Sequence, residues 1–101
     1  MSSNLKECNT LEDVRNAVDE LDIQIVDLIA SRRAYIKQAA QFKSSVDEVK
    51  APERIEAVIQ KIRTQGLMLD VSPNMLEDIY TLMINEMVET EIAEFRNAKD
   101  L

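Results

Sequence analysis

The chain contains no histidine. The commonest general base and the commonest transition-metal ligand are therefore missing. This excludes His-based triads, imidazole relays and zinc-dependent hydrolysis. A single cysteine, Cys8, allows no internal disulfide and fits a reducing cytoplasm. One glycine and two prolines leave few turns and no glycine-rich phosphate loop. No run approaches the roughly 18 apolar residues that a membrane span needs. The opening Met1-Ser2-Ser3-Asn4-Leu5-Lys6 has no apolar signal segment. The expected location is the cytoplasm, with no membrane partner. No basic face offsets the net charge of −7, which argues against nucleic acid. A small anionic ligand stays open, because a few local cations can outweigh a distant mean field.

What remains is the composition of a helical protein. Hydrophobic residues make up 46% of the 101 residues and charged residues 31%, with four aromatics. The expectation is one all-α domain over residues 1–101, with 1–9 as a tail. Three helices are predicted. The first opens at Thr10, where Thr-Leu-Glu-Asp resembles a capping box, and runs without Gly or Pro to about Lys43, roughly 50 Å. Residues 44–51 read as a loop. Pro52 suits the first turn of a second helix ending near Gly66, read as a left-handed cap. Ser72 and Pro73 form an N-cap and first-turn proline for a third helix reaching about Arg96.

The first helix carries an apolar seam at alternating three- and four-residue steps: Leu11, Val14, Val18, Leu21, Ile25, Leu28, Arg32, Tyr35, Ala39, Phe42. Arg32 is its one fully charged member. A guanidinium there costs several kcal/mol, on the order of the penalty per buried ion, unless an anion meets it. A helix this long outreaches a compact chain of about 13 Å radius of gyration. Two short helices cannot cover its seam, so a homodimer with intertwined long helices is expected. An antiparallel coiled-coil dimer without a pocket is the plainer alternative.

Lys43 follows Arg32 by eleven residues, close to three turns, which on an unbroken helix sets the two about 20° apart. Their Cα atoms would lie about 16 Å apart, and both tips could reach one ligand with two separated anionic groups. Taken alone, Lys43 also reads as a surface cation at a helix C-terminus. Glu91 repeats the anomaly on the third helix, with Ile84, Met87, Val88 and Phe95 on its stripe. Burial there favours the neutral acid unless an arginine or lysine lies nearby, and a neutral acid can donate a hydrogen bond. The competing reading pairs Glu91 with Arg32 or another cation as a register device. Arg15 lies about 100° from Arg32 on the first helix, so it could enter a site only from a second copy. Arg54 follows Pro52 at the start of the second helix. Arg15, Arg54 and Arg33 each also read as surface arginines, and Gln38 and Glu89 as surface residues. Met68, Met75, Met83 and Met87 read as packing material, and Tyr35 and Tyr80 as core residues with a polar tip.

Several cations and one carboxyl on apolar surface, with no nucleophile pair, suit catalysis by orientation and electrostatics. A dianion could be held in a reactive conformer while an internal bond shift develops charge on an ether oxygen. Lys43 or a protonated Glu91 could stabilise that charge, each contact contributing about 3 kcal/mol by analogy with oxyanion-hole donors.

At residues 8–95 the pattern resembles the all-helical chorismate mutases. The resemblance is carried by Thr10-Leu11-Glu12-Asp13-Val14-Arg15, Val18-Asp19-Glu20-Leu21-Asp22, Ser31-Arg32-Arg33, Phe42-Lys43 and Pro52-Glu53-Arg54. Glu7-Cys8, the stretch from Tyr35 to Ala40, Phe42-Lys43 and Ala51-Pro52-Glu53-Arg54 are most similar to the isochorismate pyruvate lyase branch of that family. The resemblance implies an intertwined homodimer with two equivalent sites, no cofactor and a chorismate-type dianion as substrate. It implies that Arg32 binds a substrate carboxylate, that Arg15 of the other chain binds one across the interface, and that Arg54 walls the pocket. Lys43 would contact the ether oxygen and a carboxylate. Glu91 stands where many members have Gln, the second donor to that oxygen. Some members with Glu there need it protonated. Typical mutases follow the helix-two Arg with Glu and place Asp three residues before it, to bind the ring hydroxyl. Ile55 and Ala51 stand there instead, which favours the lyase-like branch. The implied reaction is chorismate to prephenate, with isochorismate lysis to salicylate and pyruvate as the alternative. A non-catalytic or regulatory helical dimer is the reading from another class.

Overall fold

The structure, a computed structural model, describes residues 5–99. Four α-helices and one short 3-10 turn make up the regular structure of these residues: α1 Leu11–Ala39, the turn Ala40–Phe42, α2 Val46–Lys50, α3 Pro52–Leu69 and α4 Pro73–Lys99. The all-α expectation holds. The described residues fall into two compact units, 5–34 and 35–99, so α1 contributes to both.

In the first unit the expected cap is present. Thr10 Oγ1 accepts from the Asp13 N–H at 3.0 Å, and the Asp13 carboxylate accepts from the Asn9 N–H at 3.3 Å. No residue of α1 is buried. Its seam is open, with Leu21 at 53%, Ile25 at 52% and Leu28 at 69% exposure. Ile23 and Val26 add exposed apolar surface beside it.

In the second unit α3 and α4 form a hairpin across a three-residue connection, 70–72. Ser72 caps α4 as expected, its Oγ accepting from the Met75 N–H at 3.1 Å. Arg63 ties the two helices together, donating to Asn74 Oδ1 at 3.0 Å and Glu77 Oε1 at 2.8 Å. The core cluster joins Ala40, Val49, Ile92 and Phe95, with Val46 and Val88 packed against it. Full burial of a side chain such as Ile92 or Phe95 contributes roughly 1.5–3 kcal/mol. Ile59, Ile84, Met87 and Glu91 are also buried.

The structure corrects four expectations. The first helix stops at Ala39 and tightens into a 3-10 turn that puts Ala40, fully buried, into the core cluster. Lys43 is then extended, at φ −95° and ψ 147°, so the 20° offset computed for an unbroken helix does not apply to it. The predicted loop contains α2. Its end and the start of α3 share Ala51, which is left-handed at φ 36° and ψ 62°. Gly66 is not the left-handed cap of α3. The helix continues to Leu69, and Asp70 takes that conformation at φ 58° and ψ 41°. A short polar side chain tolerates it. Among the expected core side chains, Tyr35 is 71% exposed, Met68 80% and Met75 49%, whereas Met87 is buried.

Gly66 is required for closeness instead. A Cβ there would lie 2.7 Å from Leu76 Cδ1 and 2.9 Å from the Val71 carbonyl oxygen. That same turn is closed by the Val71 N–H donating to Gly66 O at 2.8 Å. An exposed mid-helix Gly→Ala change normally gains about 1 kcal/mol, but forced overpacking costs about 1–3. Gly66→Ala is therefore expected to lower the thermal midpoint by a few degrees. A raised midpoint would show that the turn has room to spare.

Candidate active site

The site is built on the buried face of α4. Glu91 lies there among Ile84, Met87 and Phe95, all buried, and Val88, half-buried. Its side chain is 5% exposed. A carboxylate in such surroundings demands a cation or a proton, because desolvation costs it several kcal/mol. Lys43 supplies the cation. Its Nζ donates to Glu91 Oε2 at 2.9 Å and to the Glu48 carbonyl oxygen at 3.3 Å. The lysine side chain is 24% exposed, so the pair sits at the edge of the core.

Local structure explains how Lys43 arrives there. The 3-10 turn closes with the Lys43 N–H donating to Ala40 O at 3.3 Å. The extended backbone at Lys43 then ends the helical run. An ammonium carries three donors. Among the described residues Glu91 and Glu48 accept from two of them, and the third N–H can point to an incoming acceptor. The arrangement can present a charge-assisted donor to an oxygen that becomes negative. Among the described residues no cluster of three or more His, Cys, Asp or Glu side chains comes together to hold a metal.

Of the five residues expected to carry the site, Lys43 and Glu91 are brought into direct contact. The cation that meets Glu91 is Lys43. Arg32 is half-buried on α1, and Arg15 and Arg33 are exposed there, all within the unit ending at residue 34. Arg54 is exposed in the first turn of α3. Gln38 and Glu89 are exposed as expected.

Glu48 is a site neighbour that the loop expected over residues 44–51 does not single out, although Ser45-Val46-Asp47-Glu48 carries the spacing of a capping box. Ser45 Oγ accepts from the Glu48 N–H at 3.2 Å. The Glu48 carboxylate reaches back to accept from the Ser44 N–H. That signal would have placed a short helix immediately after Lys43.

The chain is 27% identical over 94 residues to the isochorismate pyruvate lyase of Pseudomonas aeruginosa, an alignment covering 93% of each chain. It is 28% identical over 82 residues to the T-protein of Haemophilus influenzae, covering 80% of this chain but 22% of that one. The family model of chorismate mutase type II matches residues 14–92. With that match over most of its length, the chain belongs to the chorismate mutase type II family.

Proposed function

We propose that the chain is a pericyclic enzyme that converts chorismate to prephenate. The observation that carries this reading is the contact of Lys43 Nζ with Glu91 Oε2 at 2.9 Å on the buried face of α4. As the substrate's ether C–O bond breaks and the new C–C bond forms, negative charge gathers on the ether oxygen. Lys43 donates to that oxygen. Glu91 becomes a second donor once it carries a proton, since an ionised carboxylate only accepts. Each donor contributes about 3 kcal/mol if it acts as oxyanion-hole donors do. No covalent intermediate is needed, and holding the dianion in a reactive conformer supplies the rest.

In this reading the substrate carboxylates are held by Arg32 and by Arg15 of a second copy, with Arg54 in the pocket wall. A homodimer is supported by the open seam of α1, where Leu11, Val14, Val18, Leu21, Ile25 and Leu28 are all exposed. Contiguous apolar surface of that extent fits a partner helix better than water.

A second reading is isochorismate lysis to salicylate and pyruvate. Two observations favour it. Ala51 and Ile55 stand where a mutase would bind the ring hydroxyl, and the relative matched over 93% of this chain is an isochorismate pyruvate lyase. Both reactions break the same kind of ether bond and use the same donors. Incubation with chorismate and with isochorismate, assayed for prephenate, salicylate and pyruvate, separates the two. Silence with both substrates would sink the enzyme reading and leave a non-catalytic dimer.

Arg32→Ala is expected to abolish turnover while size-exclusion chromatography still shows the dimer. Loss of the dimer instead would assign Arg32 a structural role. Glu91→Gln places an amide that can donate where the carboxylate only accepts, and is expected to raise kcat/KM. A kcat/KM no higher than that of the parent would rule out a second donor at this position.

A further inference from the structure

We propose that Glu48 is the positioning residue of Lys43, an inference that rests on the catalytic reading of Lys43 and deepens it. Lys43 has a long, flexible side chain, and a donor aimed at one oxygen must be held from more than one side. Glu91 on α4 fixes it from one direction. The Glu48 carbonyl on α2 fixes it from another, at 3.3 Å. These two acceptors belong to different elements, so Nζ is triangulated and its third N–H takes a defined direction.

The carbonyl stays in place because the Glu48 side chain closes the turn that carries it. α2 is five residues long, too short to persist by itself. Beside its backbone bonds, two side-chain bonds close its N-terminal end: the Glu48 N–H to Ser45 Oγ, and the Ser44 N–H to the Glu48 carboxylate. Its other anchor is Val49, 3% exposed in the cluster with Ala40, Ile92 and Phe95. Val49 pins α2 to α4, and Glu48 sets how the N-terminal end of α2 faces Lys43. Without the Glu48 carboxylate the Ser44 N–H loses its acceptor, the turn loosens, and Lys43 is held by Glu91 alone.

The test uses the full chain with Glu48→Ala, Glu48→Gln, Lys43→Ala and the Lys43→Ala/Glu48→Ala double variant. Glutamine keeps an oxygen that can accept from the Ser44 N–H, so it serves as the conservative rescue. Glu48→Ala is expected to lower kcat on the order of tenfold with a much smaller change in KM. Glu48→Gln should stay close to the parent. In the Lys43→Ala background, Glu48→Ala should cause no further loss, since the two act as one unit. A Glu48→Ala protein as active as the parent, or an equal loss on top of Lys43→Ala, overturns the proposal. Nitrogen-detected NMR of the lysine ammonium groups gives a readout independent of turnover. The slowly exchanging Lys43 signal should disappear in Glu48→Ala and persist in Glu48→Gln, and its persistence in both overturns the proposal. If Lys43→Ala itself retains full activity, the catalytic reading of Lys43 fails, and the NMR result still decides the positioning by Glu48.

Discussion

A carboxylate on the buried face of a helix must find a cation or a proton, and much of the second unit follows from how Glu91 meets that demand. Its side chain is 5% exposed. Removing its partner would leave a buried charge uncompensated, at a cost of about 3–5 kcal/mol. The segment between α1 and α3 therefore has to deliver Lys43 to α4. The 3-10 turn buries Ala40, the extended backbone at Lys43 redirects the chain, and α2 docks through Val49. Each of these irregularities lies within about ten residues of the lysine it places.

The pair is also unusual as a structural element, because its cation is only partly buried. An ion pair chosen for stability alone is a weak device, since apolar replacement is often neutral or better. Here the lysine is 24% exposed beside an almost fully enclosed glutamate. The α3–α4 hairpin gives this donor a firm base. Gly66 lets the turn close against Leu76, and Arg63 spans the helices to Asn74 and Glu77. The open apolar face of α1 stands in contrast, with no buried residue along its length.

Much of this was legible in the residues. Thr10 and Ser72 act as caps through bonds to residues three positions ahead, so their signals are local and hold in the structure. Glu91 announced itself as the one carboxyl on an apolar stripe. The phase of Lys43 was not legible, because a run without Gly or Pro gives no warning that a buried alanine will tighten its last turn. Gly66 misled for a related reason. Glycine serves both left-handed caps and close approaches, and only the position of Leu76 and the Val71 carbonyl tells which. α2 differs, since its signal is local: the Ser45–Glu48 spacing is that of a capping box, and both bonds of the cap are formed.

The sequence by itself determined the helical class, the caps and the seam of α1. These rest on periodicity and on contacts between near neighbours in the chain, which any reader of the sequence can follow. The tertiary structure alone decided that Lys43, and through it Glu48, meets Glu91. The lysine and its carboxylate lie 48 residues apart. Their contact depends on where three turns redirect the chain, and on a desolvated charge that is tolerable only when the fold brings its counterion to it.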